Sequence, residues 1–167
     1  VGISTQPRSN ALCNAGIAPV ADMLKNGIKV GLGTDNGEGN FYENMRYLVL
    51  MQMGKNYSKH ALTPLQGFQI ATEGGAFGLG YTDVGCLKEG YSADFQILTG
   101  NAAIQLTEKN VVAEVFWRKD PKDIKKVYVN GNLICQDGHS VNLDDERIRK
   151  DFSECVREFW KGQPYQD

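Results

Sequence analysis

The segment that most limits what this chain can become is Ile28-Lys29-Val30-Gly31-Leu32, running directly into Gly33-Thr34-Asp35-Asn36-Gly37-Glu38-Gly39. Its alternation of apolar and non-apolar residues reads as a strand, and the glycines and Asn after it read as a tight turn. A helix is predicted next, over Phe41 to Met53, with Asn40 as N-cap and Glu43 three residues on in a capping-box pattern. Upstream, Val1 to Thr5 reads as a short buried strand and Pro7-Arg8-Ser9-Asn10 as a turn. Pro19 opens a short helix with Val20, Met23 and Leu24 on one face and Gly27 as its stop. Strand-helix-strand-helix implies parallel strands joined by helical crossovers, an α/β arrangement. A closed (β/α)8 barrel needs ~250 residues, so a chain of 167 holds at most part of one once a second module follows.

Such a module does follow. Thr63-Pro64-Leu65-Gln66 is a strong helix start, and this helix is predicted to run to Glu73 and break at Gly74-Gly75. After Tyr81 the texture changes to turns around Gly85 and Gly90 and a strand over Ala93 to Leu98. A helix is predicted from Glu108 to Lys119, then a hairpin from Ile124 to Cys135 whose Asn130-Gly131 supplies a type I′ turn. Lys119 to Lys126 reads as a solvated mixed-charge turn. The last helix begins near Asp144 with Ile148, Phe152, Cys155 or Val156, and Phe159 on one face. Trp117, Trp160, Met45, Met51 and Met53 read as core.

Composition narrows the function classes. Eighteen basic against twenty acidic residues give a formal charge of -2 without blocks of one sign, which offers nothing to nucleic acid or an anionic membrane surface. The apolar stretches fall far short of the ~20 residues of a membrane span. Val1 is no initiator Met, and the reading is of a chain that begins inside a longer one. The four cysteines form no C-x-x-C pair, and reduced, cytoplasmic thiols are expected. The two histidines, His60 and His139, sit in loop contexts and in no H-x-H or H-E-x-x-H pattern, so no self-contained hydrolytic metal centre is expected.

Asp35 is the leading candidate for chemistry, because catalytic groups of parallel α/β sheets stand at the carboxyl ends of strands. The competing reading is that it caps the next helix or bonds turn amides. A phosphate-cradling reading of the same glycines fails: G-x-G-x-x-G after Gly31 and Gly33 needs glycine where Asn36 stands, and Leu50 to Lys55 offers no ribose-binding acid.

Pro7-Arg8-Ser9-Asn10, Gly16-Ile17-Ala18-Pro19 and Gly31-Leu32-Gly33-Thr34-Asp35 resemble the seventh and eighth barrel strands of the amidohydrolase superfamily, in its deaminase branch acting on cytosine, guanine, adenosylhomocysteine and s-triazines. Leu62-Thr63-Pro64, Ala71 to Ala76, the Gly85 to Asp94 stretch and Val127-Tyr128-Val129-Asn130-Gly131 continue the resemblance through about residues 5 to 138. It implies the C-terminal portion of a metal-dependent hydrolase TIM barrel: residues 1–80 as its last βα units, 81–142 as a β-sandwich-type module with an interposed helix, and 143–167 as a terminal helix. It also implies that Asp35 contacts the catalytic zinc or iron and shuttles a proton from the attacking water to the leaving nitrogen. Ser9 and Asn10 would shape the floor of a pocket for a small-molecule substrate. Glu114 to Tyr128 resembles guanine deaminases and leans the substrate toward an aminated purine. Asp94 is assigned a structural bond. The family's histidine and glutamate ligands precede every segment present here, so the isolated chain is expected to hold no metal stably and to deaminate nothing. Its expected partners are a missing upstream barrel segment, a second chain or a copy of itself. The alternative reading is a non-catalytic folding or interaction module.

Overall fold

The computed structural model describes residues 2–35, 39–100 and 103–162. Strand β1 (Gly2–Thr5) is followed by α1 (Pro7–Leu12), α2 (Val20–Lys25) and strand β2 (Lys29–Leu32). The two strands pair in parallel with Ile3 opposite Val30 and Thr5 opposite Leu32, so their carboxyl ends lie side by side. Residues Pro7 to Asn10 are helical rather than an irregular turn. Proline presets a helical φ and sits where the first turn has no N–H partner to lose, so the chain can start a helix directly off the strand. Gly27, at φ +72°, ends α2 in the left-handed region.

Helix α3 (Phe41–Lys55) is the longest element of the first half, and the Asn40 side chain accepts from the Glu43 N–H at its start. It buries Tyr42, Met45, Leu48 and Val49, which pack with Val20, Val30, Leu32, Leu62, Ile70 and Phe116 in one core. Tyr47 and Leu50 stay exposed, so one face of α3 carries the core. Asn36, Gly37 and Glu38, which include the third position of the nucleotide fingerprint, lie outside the described residues.

Helix α4 (Pro64–Gln69) opens with the reciprocal Thr63–Gln66 capping box. The chain does not break at Gly74-Gly75 as its glycines predict. It passes through a π turn (Ile70–Gly74) into α5 (Gly75–Gly78). A Cβ on Gly74 would run into the Val30 carbonyl, and one on Gly31 would lie 2.9 Å from Gly75 Cα. The glycines therefore let helix and strand backbones touch, and this contact outweighs their poor helix propensity.

The second half holds β3 (Phe95–Leu98), α6 (Val111–Arg118), a 3₁₀ turn (Pro121–Asp123), β4 (Ile124–Val129), β5 (Asn132–Gln136), β6 (His139–Ser140) and α7 (Asp145–Trp160). The strands form one antiparallel sheet in the order β3-β4-β5-β6. Among the described residues this is a single sheet rather than a closed sandwich. Asn130 at φ +49° and Gly131 at φ +76° make the primed turn expected of that pair.

The two halves join through α3. Tyr42 donates its hydroxyl to Gln96 Oε1 at 2.8 Å. Arg46 donates to the carbonyls of Phe116 and Lys119 and to Asp120 Oδ1. The start of the Lys119 to Lys126 segment is thus anchored, not a solvated turn: Lys119 is buried, and a guanidinium collects the carbonyls that end α6. Trp117 and Trp160, read as core, are both exposed, and so are Ile148, Phe152 and Phe159 on α7.

Candidate active site

The parallel register places the residues following β1 beside those following β2. The Gly33 N–H donates to the Thr5 carbonyl at 2.9 Å, extending the ladder one step past the strand end. Four residues past Thr5, α1 holds Ser9, which is 2% exposed, and its Oγ donates to Asp35 Oδ2 at 2.7 Å. Asp35 itself is exposed and adopts φ +54°, a left-handed conformation that Asp tolerates better than most residues. Its Oδ1 has no hydrogen-bond partner among the described residues. Asp35 caps no helix, since Asn40 caps α3. The amides of residues 36–38, to which the other sequence reading would bond Asp35, lie outside the described residues.

The structure thus brings Ser9 and Asp35 together. Asn10 is half-buried, its N–H donating to the Gln6 carbonyl and its own carbonyl accepting from Ala15. It lines a cavity of about 10 Å3 with Thr5, Pro7 and Gln52, space for no more than about one water. His60 is exposed, and His139 lies 3.5 Å from Asp145 at the far end of the sheet. Asp94 Oδ1 accepts from the Asn130 N–H at 2.5 Å and from Ser92 Oγ at 3.1 Å, tying the hairpin turn to the strand before it, as assigned.

Asn44, on the second turn of α3, went unnoticed in the sequence. It is 2% exposed; its Oδ1 accepts from the Arg8 N–H at 3.2 Å and its Nδ2 donates to the Gly33 carbonyl at 2.5 Å. The available signal was an amide among the apolar residues of a helix face, as Gln52 also is two turns on, where burial demands partners.

As a metal ligand set, these residues fit in part. Asp35 offers one hard oxygen donor, Oδ1, that has no partner among the described residues, of the kind divalent ions take. No group of three or more His, Cys, Asp or Glu side chains able to hold an ion occurs among the described residues.

Residues 1–134 match the amidohydrolase family, and the chain belongs to that family. It is 35% identical over 159 residues to a 5-methylthioadenosine/S-adenosylhomocysteine deaminase of Shouchella clausii, an alignment covering 93% of this chain and 37% of that protein. It is 27% identical over 160 residues to a 5′-deoxyadenosine deaminase of Methanopyrus kandleri. The fold superimposes on a zinc-bound adenosine deaminase from Xanthomonas campestris with a TM-score of 0.87 at 17% identity, over 96% of this chain and 38% of that one. Atrazine chlorohydrolase from Arthrobacter aurescens, solved with zinc, gives a TM-score of 0.80 at 23% identity. The chain thus spans little more than a third of the length of the curated relatives it matches. No described helix is long and apolar enough to cross a membrane.

Proposed function

We propose that this chain is the C-terminal segment of a metal-dependent aminohydrolase and that Asp35 is its catalytic carboxylate. The observation that carries the reading is the Asp35 geometry: an exposed carboxylate at the end of a parallel strand, one oxygen held by a buried hydroxyl and the other without a hydrogen-bond partner among the described residues. A divalent ion, zinc or iron, would lower the pKa of a water toward neutrality, and Asp35 would be one of its ligands. Asp35 takes a proton from the attacking water as the new C–O bond forms at the amine-bearing carbon. It then returns that proton to the nitrogen as the C–N bond breaks, and the amine leaves as ammonia. Ser9 fixes which oxygen is engaged and so which one is available to exchange the proton. Asn10, half-buried one residue on, is proposed as a contact on the pocket floor.

The names of the relatives support a narrower substrate class than the sequence motifs did: an adenosine-type nucleoside, deaminated at its exocyclic amine. The remaining ligands and most of the substrate pocket would come from a barrel segment outside these residues. The four unbridged cysteines support a cytoplasmic setting. The test is ammonia release by the complete enzyme from 5′-substituted adenosines, guanine and an aminotriazine. Turnover of the adenosines at least about tenfold above the others supports the reading, and preference for guanine or triazine overturns its substrate half.

A further inference from the structure

Asn44 joins two pieces of backbone that the proposed chemistry needs in fixed relation. One partner, the Arg8 N–H, belongs to the residue just before Ser9; the other, the Gly33 carbonyl, lies two residues before Asp35. Arg8 is tied to the same helix a second time, with Nε 3.6 Å from Glu43 Oε2. The Asn44 neighbourhood on α3 is apolar: Met45, Leu48 and Val49 are all buried. An apolar side chain of similar size would fill that space without the desolvation cost of a carboxamide. The carboxamide does something an apolar residue cannot, which is to fix the offset between the first turn of α1 and the segment after β2 through one rigid planar group.

We propose that Asn44 is a positioning residue for Asp35, and the proposal rests on the reading of Asp35 given above. Asp35 holds a left-handed backbone at φ +54°, a conformation that persists only where its surroundings impose it. Nδ2 of Asn44 restrains the peptide that leads into that conformation, while Oδ1 restrains the peptide that presents Ser9. Released from Asn44, α1 and the segment after β2 lose the spacing at which the Ser9 hydroxyl reaches Asp35 Oδ2. A misplacement of about 1 Å in a catalytic group costs up to about 10²-fold in rate.

The experiment uses the complete enzyme with four variants: Asn44→Leu, Asn44→Asp, Ser9→Ala and the double variant Asn44→Leu/Ser9→Ala. Leu48→Ala, one turn along the same buried face, is the control for lost stability alone. Activity is read per folded molecule, and zinc affinity of the metal-free enzyme is read by competition with a chelator. Asn44→Leu is expected to lower kcat by about 10- to 100-fold with KM within about twofold, and to weaken zinc about tenfold. Leu48→Ala lowers stability and leaves kcat per folded molecule unchanged. Because Asn44 and Ser9 act on one contact, adding Asn44→Leu to Ser9→Ala costs less than about threefold more. Asn44→Asp keeps the acceptor for Arg8 and loses only the donor to Gly33; if Asn44→Leu does not fold, it carries the test, with an expected loss of about tenfold. Unchanged kcat and zinc affinity in the folded Asn44 variants, or losses that multiply in full with that of Ser9→Ala, overturn the proposal. Retained turnover in Asp35→Asn instead overturns the reading of Asp35, so the two failures are told apart.

Discussion

At the scale of single residues, burial decides which polar groups carry consequences. Tyr42 is nearly enclosed, and burial first, then the negative charge of Asp123, pushes its phenol above the ordinary tyrosine value; Arg46 pulls the other way and Asp120 adds to the rise. A raised folded value means that the stabilisation is complete below the unfolded value of about 10 and is lost as pH climbs through and past it. Tyr42→Phe is therefore expected to flatten the alkaline fall in stability, read as urea midpoints between pH 8 and 11. An unchanged alkaline slope would remove Tyr42 as its source. At neutral pH the same variant loses the bond to Gln96, a cost of about 1 kcal/mol. Asp35 was legible in the sequence because a strand followed by a small-residue turn is a local pattern, whereas Ser9 entered only through the resemblance of Pro7-Arg8-Ser9-Asn10 to the family. Asn44 was not, since nothing local shows that an amide on the buried face of α3 reaches both the first turn of α1 and the residue after β2.

At the scale of elements, the helix over residues 64–78 separates local preference from tertiary contact. Two adjacent glycines read as a stop, yet the helix runs through them by way of a π turn because β2 lies directly against it. Gly74→Ala places a methyl against the Val30 carbonyl and is expected to destabilise by about 1–3 kcal/mol. Gly54→Ala is the matched comparison: the site is exposed in the last turns of α3, with open space around its Cβ, and it should stabilise by about 0.5–1 kcal/mol. Urea titration of both variants checks the pair, and equal effects of the two substitutions would contradict the close helix–strand contact. The strands, the Asn130-Gly131 turn and the Thr63 cap were legible because each depends on neighbours within a few residues. The anchoring of Lys119 and Asp120 was not, because Arg46 lies more than seventy residues upstream.

At the scale of the whole molecule, the apolar face of α7 and one edge of the two-stranded sheet stay uncovered among the described residues. Contiguous exposed apolar surface and an open strand edge favour association. The 167-residue chain alone is expected to self-associate at micromolar concentration, and Phe152→Lys on α7 to shift it toward monomer. Light scattering with amide exchange decides this. A monomer whose amides over residues 2–35 are as protected as those of β4 and β5 would contradict it. Placing the α/β half before the antiparallel half followed from the order of elements. The exposed tryptophans did not follow, since composition cannot tell a core aromatic from one awaiting a partner surface.

The most direct measurement of the central claim, that this chain supplies the reacting carboxylate, is the turnover of Asp35→Asn in the complete enzyme. The amide keeps the size of the side chain and can still accept from Ser9, but it cannot take up a proton from water. The account predicts a loss of about 10²–10⁴-fold in kcat with the fold unchanged by circular dichroism. Turnover within about threefold of the unsubstituted enzyme would contradict it.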